Sequence, residues 1–169
     1  MTTTAYIGLG ANLDDPVAQI EYAFDELARL PQTQFVARSS LYASAPVGYL
    51  DQPDFINAVA EVATTLSAHA LLAALLAIEQ RHGRDRSFRN APRTLDLDLL
   101  LFGETQLHDA QLTLPHPRMH QRAFVLLPLS ELAPELGISG LALVADLLAH
   151  CSDQQVALLT PPRFSMTGS

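Results

Sequence analysis

The chain has 169 residues, 49% hydrophobic and 17% charged, with a formal net charge of −8, enough for one well-buried domain and too short for two of ordinary size. That acidity argues against a nucleic-acid or anionic-membrane partner, which would want a broad positive footprint. Cys151 is the only cysteine and lysine is absent, which excludes an intramolecular disulfide, a thiolate zinc site, a Walker A lysine and a Schiff base, and makes a reducing cytoplasm the expected location.

Tyr6 to Gly10 reads as a first strand. No basic segment precedes it, so no signal peptide is expected, and Gly8-Leu9-Gly10-Ala11-Asn12 lacks the third glycine of a dinucleotide fingerprint. Asp14 or Asp15 caps a helix with Pro16 at its first position, an apolar stripe of Ile20, Phe24 and Leu27, and Pro31 at its end. Phe35 to Tyr42 and Phe55 to Leu66 read as β segments, separated by a Pro/Gly-rich loop from Ala45 to Pro53. Ser67 caps a second helix through His82, and Gly83 closes it. The longest apolar helical run, Ala70 to Ile78, is far short of the ~20 residues a membrane span needs. Leu95 to Phe102 is the next strand. The order β-α-β-β-α-β predicts an α+β, ferredoxin-like core, an antiparallel sheet with helices packed on it. Beyond it, Leu107 to Leu114 reads as a strand, and Arg122 to Leu132 and Leu141 to His150 as short helices. Residues 1–160 are expected to form a single domain and 161–169 a disordered tail.

The run from Pro92 to Leu100 carries the most chemistry. Alternate strand residues share a face, so Asp96 and Asp98 stand side by side, on the order of 7 Å apart at Cα, with Leu95, Leu97 and Leu99 on the opposite, core-facing side. Two such anions repel unless a cation joins them. Oxygen ligands at this spacing suit Mg²⁺, which takes one or two carboxylates plus substrate phosphates; the alternative is the solvated face of an edge strand. Upstream stand Arg81, Arg84, Arg86, Arg89 and Arg93, five of the ten basic residues of an acidic chain. Guanidinium forks match phosphate oxygens bidentately. Carboxylates for a metal beside a loop of arginines are what a nucleoside triphosphate requires.

Glu79 shares a helical face with Leu72, Leu75 and Leu76 and lies in the last turn, where the helix dipole disfavours a negative charge. Either it has a task, such as accepting hydrogen bonds from a ligand or anchoring a loop arginine, or it turns to solvent beside Arg81. His116 and His120 stand four residues apart, but Pro117 breaks the helix that a zinc-binding pair would need, which leaves His116 as a donor to phosphate.

These residues resemble the 6-hydroxymethyl-7,8-dihydropterin pyrophosphokinase family. The resemblance spans Tyr6 to about Leu136 and rests on four blocks in order: Tyr6 to Leu13, Asp51 to Asn57, Gly83-Arg84 through Asp98, and Pro115-His116 with Arg122 and Phe124. It implies a ferredoxin-like core that transfers pyrophosphate from ATP to the hydroxymethyl group of the pterin and releases AMP, in folate biosynthesis. By that resemblance Asp96 and Asp98 bind two Mg²⁺ ions, and Arg84, Arg86 and Arg93 close on phosphates from the loop. Phe55 and Phe124 sandwich the pterin ring, while Asn57 and the backbone around Ser44 and Val47 read its polar edge. Glu79, Leu99, Thr113, His116 and Arg122 fall at nucleotide-site positions. The chain departs from the pattern at Asn90, where some members carry a tryptophan, at Phe55, where the family has a tyrosine, and near Gln111, where some members have a basic residue.

The competing readings are a non-catalytic ATP- or pterin-binding module on the same scaffold and a nucleotidyl-transferring enzyme that uses the aspartate pair on another acceptor. The expected partners are ATP and 6-hydroxymethyl-7,8-dihydropterin, with no nucleic acid and no membrane, and the chain is expected as a monomer. Both Gly/Pro-rich loops are expected to order around the substrates.

Overall fold

A computed structural model describes residues 1–13, 15–45, 53–82, 95–138 and 142–159. The expected first strand is longer than its apolar centre and runs Thr3–Ala11 (β1). Asp15 caps the first helix, Pro16–Ala28 (α1), its carboxylate accepting from the Ala18 N–H; Asp14, the other candidate, lies outside the described residues. Strand Phe55–Thr64 (β4) lies antiparallel beside β1, and Ser67 caps helix Ala68–Arg81 (α2), where its hydroxyl accepts from the Ala70 N–H. Strand Asp96–Phe102 (β5) takes the other side of β1.

The β segment expected from Phe35 to Tyr42 is instead two strands, Thr33–Arg38 (β2) and Tyr42–Ser44 (β3), which pair with successive parts of β4. Polar side chains break it. Ser39 still donates its N–H to the Val59 carbonyl while its Oγ accepts the Val59 N–H, and the distant Glu131 accepts from both the N–H and the hydroxyl of Ser40, so side-chain bonds take over from the regular ladder there. The strand expected from Leu107 to Leu114 is likewise a hairpin of two short strands, Leu107–His108 (β6) and Thr113–Leu114 (β7). Asp109 makes the turn by accepting from the N–H groups of Gln111 and Leu112 at 2.8 and 2.9 Å.

After a short 3₁₀ turn at Met119–Gln121 come helices Ala123–Leu132 (α3) and Val144–Ala149 (α4). The last helix is shorter than expected because Leu143 stays extended and bridges Gly137. The expectation for the C-terminal segment held no strand, yet Val156–Leu158 (β8) pairs with β3 at the edge of the sheet. The tail expected at 161–169 lies outside the described residues.

The main sheet runs β5-β1-β4-β3-β8, with β2 also on β4. Both of its faces are covered. Ile7 and Leu9 of β1, Ile56 and Ala58 of β4, and Leu97 and Leu99 of β5 pack against Ile20 and Leu27 of α1 and Leu71, Leu75 and Ile78 of α2. Tyr6, Val59 and Leu100 face the other way, onto Met119, Leu126, Leu129 and Val144. The period-two alternation of each strand therefore feeds two cores. α3 and the 3₁₀ turn cover only part of the second face and leave the rest to the site.

Candidate active site

Pairing register assembles the site. Gly10 stands opposite Asp96 on one side and opposite Asn57 on the other, while Gly8 pairs with Asp98. Asp96 and Asp98 lie on the face of the sheet away from α1 and α2, alternating with the buried Leu97 and Leu99. Next to them the two glycines carry no side chain, so the sheet has an open floor there; a Cβ at Gly10 would stand 3.5 Å from Asn57 Oδ1.

Above this floor is a cavity of about 800 Å³. Asp96 and Asp98 stand at one side. The other is made of Ser44, Phe55 and Asn57, with Arg118, Arg122 and Phe124 brought over from the 3₁₀ turn and α3. Asn57 is buried, and its Nδ2 donates to Ser44 Oγ at 2.7 Å, which fixes the orientation of the amide. Asn12 Nδ2 donates to the Pro53 carbonyl at 3.2 Å, tying the end of β1 to the chain entering β4. Arg122 has extended backbone (φ −122°, ψ 108°), and its guanidinium carbon lies 5.5 Å from the centroid of the Phe124 ring, within cation–π range.

Beneath the carboxylates, Glu79 is 3% exposed, and its Oε2 accepts from the Leu97 N–H at 2.7 Å. Leu97 is the residue between the two aspartates. The acid on the apolar face of α2 is thus used to satisfy the backbone of β5 on the edge that β1 does not pair. His116 Nδ1 accepts from the Arg118 N–H at 3.2 Å, which places the ring proton of a neutral imidazole on Nε2. Burial pushes the His116 pKa below its ordinary value; the Asp98 carboxylate opposes this, and Arg122 and Arg118 add to it.

A family model described as 7,8-dihydro-6-hydroxymethylpterin-pyrophosphokinase (HPPK) matches residues 6–134. The chain belongs to this family. A Pseudomonas aeruginosa 2-amino-4-hydroxy-6-hydroxymethyldihydropteridine pyrophosphokinase is 50% identical over 151 residues, covering 89% of this chain and 93% of its own. The enzyme of the same name from Haemophilus influenzae is 43% identical over 158 residues, covering 94% of this chain and 99% of its own. Among solved structures, wild-type Plasmodium falciparum HPPK-DHPS superposes with a TM-score of 0.71 at 16% identity over 89% of this chain, a likeness of fold. This chain spans 45% of the length of that protein.

Of the residues that the HPPK resemblance implicates, the cavity wall holds Asp96, Asp98, Ser44, Phe55, Asn57, Arg122 and Phe124. Glu79, Leu99, Thr113 and His116 are off that wall. Leu99 points its buried side chain into the α1/α2 core, so only its backbone is left for a ligand, and Thr113 Oγ1 shares a 3.2 Å hydrogen bond with His108 Nδ1. Val47, Arg84, Arg86, Arg89 and Arg93 lie outside the described residues. The wall also includes Gly8, Gly10, Arg118, Gln121, Gln154, Gln155 and Val156, none of which the sequence reading assigned to a site. Arg118 could have been noticed as a third cation near His116 and Arg122; the C-terminal glutamines carry no signal of their own. Among the described residues no group of three or more His, Cys, Asp or Glu forms a metal cage. Two carboxylates alone suit a hard cation that takes its other ligands from water and phosphate oxygens.

Proposed function

We propose that Asp96 and Asp98 hold two Mg²⁺ ions against the triphosphate of ATP while the wall of Phe55, Asn57 and Phe124 holds the pterin. Membership of the HPPK family makes the chain an ATP-dependent pyrophosphokinase of folate biosynthesis. The reaction joins the hydroxymethyl oxygen of 6-hydroxymethyl-7,8-dihydropterin to the β-phosphorus of ATP, breaks the bond from that phosphorus to the α-phosphate oxygen, and releases AMP. The observation that carries the site reading is the single cavity of about 800 Å³ shared by the carboxylate pair and the aromatic and amide wall.

When bound, the metal ions supply neutralisation of phosphate charge and in-line alignment. The chain's own residues supply the rest. Phe55 and Phe124 offer flat apolar faces to a bicyclic ring, worth ~1–3 kcal/mol per stacked ring by analogy with nucleobases. Asn57, locked by Ser44, presents its amide to the ring's polar edge. Arg122 and Arg118 bring permanent positive charge to the phosphates from the two ends of the 3₁₀ turn, and His116 offers Nε2–H as a neutral donor. Arg84, Arg86 and Arg93 are assigned to the phosphates from the loop side.

Among the described residues no helix is long and apolar enough to cross a membrane. The acidic charge and single cysteine favour a reducing cytoplasm and argue against a nucleic-acid or anionic-membrane partner; the proposal includes a monomer with one domain over residues 1–160. The test is AMP release from ATP and Mg²⁺, with and without the pterin, with Asp96→Ala as control. Pterin-dependent AMP that disappears in the variant is expected. Tight ATP binding without AMP would turn the assignment to a non-catalytic binding module.

A further inference from the structure

Helix α3 begins at the site and has no side-chain cap of its own: Arg122, at the cap position, makes no such bond. The cap comes instead from a residue 31 positions further along the chain. Gln154 Oε1 accepts from the Ala123 N–H at 2.9 Å, and Gln154 Nε2 donates to the Gln121 carbonyl at 2.8 Å. One carboxamide therefore grips the backbone on both sides of Arg122, which fixes the extended turn from which the guanidinium reaches the cavity. Phe124 follows one residue after the gripped Ala123.

The segment that carries Gln154 also holds the neighbouring part of this wall. Two residues on, Val156 enters β8 and pairs with Ser44, whose hydroxyl accepts the amide of Asn57. Leu159 N–H then donates to the Leu41 carbonyl at 2.9 Å. Gln154, Gln155 and Val156 all line the cavity. Between residues 154 and 156 the chain thus links the Arg122/Phe124 part of the wall to the Ser44/Asn57 part.

We propose that Gln154 is a positioning residue for pterin binding: its carboxamide sets Phe124 and Arg122 in register with the wall of Phe55 and Asn57. This rests on the function proposed above. In this proposal Gln154 acts through the start of α3, whose backbone its carboxamide holds. Because it is exposed on the surface, its replacement leaves both cores intact.

The test uses Gln154→Met, which keeps length and packing and loses both hydrogen bonds, and Gln154→Glu, which keeps an acceptor for Ala123 N–H and loses the donor to Gln121. Two readouts are taken on the full chain. The first is direct binding of 6-hydroxymethyl-7,8-dihydropterin by fluorescence, with KM and kcat from AMP release. Gln154→Met should raise the pterin Kd and KM about tenfold with kcat within about twofold, as loss of binding alignment predicts, and Gln154→Glu should fall between it and the parent. The second needs no ligand: amide exchange at residues 122–126 should quicken about tenfold while the β1, β4 and β5 amides keep their protection. Unchanged exchange at the start of α3, or unchanged pterin Kd in Gln154→Met, overturns the proposal. A parent protein that binds no pterin would defeat the functional assignment instead, and the exchange data would still decide whether Gln154 sets this wall.

Discussion

Replacing Glu79 by alanine probes the joint between the helix layer and the carboxylate pair. The Glu79 carboxylate is 3% exposed and receives the Leu97 N–H at 2.7 Å. Removing it leaves a buried donor on the edge of β5. A hydrogen bond to a charged acceptor contributes roughly 1.5–3 kcal/mol, and relief of the buried charge offsets part of its loss, so a net destabilisation of about 2 kcal/mol is expected. In a chain of this size that corresponds to a fall in Tm of roughly 4–8 °C. Glu79→Gln retains a side-chain oxygen for the same N–H and should lose less than half as much. Because Leu97 sits between Asp96 and Asp98, the freed strand edge should also misplace both carboxylates and lower kcat/KM about 10- to 100-fold. Thermal melts by circular dichroism and AMP release would be measured on both variants. An alanine variant that melts within a degree of the parent, or that melts low yet keeps full activity, refutes the reasoning.

Three further outcomes are expected. Asp98→Asn removes an anion that props up the His116 pKa, so an NMR titration should find the imidazole shifted further down, whereas Arg122→Ala should shift it up; the opposite signs would refute the electrostatic picture. Since folding holds this imidazole below its unfolded value, the unfolded chain binds the extra proton, and the contribution of His116 to stability, present above the unfolded value, is lost as pH falls from there through the folded one. Phe124→Ala should weaken pterin binding by ~1–3 kcal/mol in a fluorescence titration while leaving ATP affinity near the parent's, and equal loss for both ligands would count against a stacking role. Asp109 is held below the usual carboxylate range by the N–H groups of Gln111 and then Leu112, with His69 adding to the effect. Its stabilising contribution is present above the unfolded carboxylate value and is lost as pH falls through the folded one. Asp109→Ala should therefore unfold at a higher pH in an acid titration, and superimposable curves would dismiss the turn's role.

Several features were legible in the residues themselves because they depend on local geometry alone. The alternation from Leu95 to Leu99 put both aspartates on one face of a strand, and in the structure Leu97 and Leu99 point into the α1/α2 core while the aspartates line the cavity. Ser67 and Pro16 marked helix starts, and the β-α-β-β-α-β order led to an antiparallel sheet with helices packed on it. Glu79 stood out because a carboxylate among leucines at the end of a helix carries two penalties, and the structure keeps it buried.

Register and long-range partners lay beyond the sequence. No local pattern shows that Gly10 falls between Asp96 and Asn57, because that depends on how three strands slide against one another. Ser39 and Ser40 divide a segment whose apolar pattern reads as continuous through partners far along the chain, the Val59 N–H and the Glu131 carboxylate, while Asp109 divides another by accepting from the N–H groups of its own turn. Gln154 is an unremarkable polar residue near the end of the chain until β8 joins the sheet and carries its carboxamide to the start of α3. The sequence by itself determined which residue types could hold metal, phosphate and a flat ring. Only the tertiary structure decided which of them share a cavity, because that follows from pairing and packing between segments far apart in the chain.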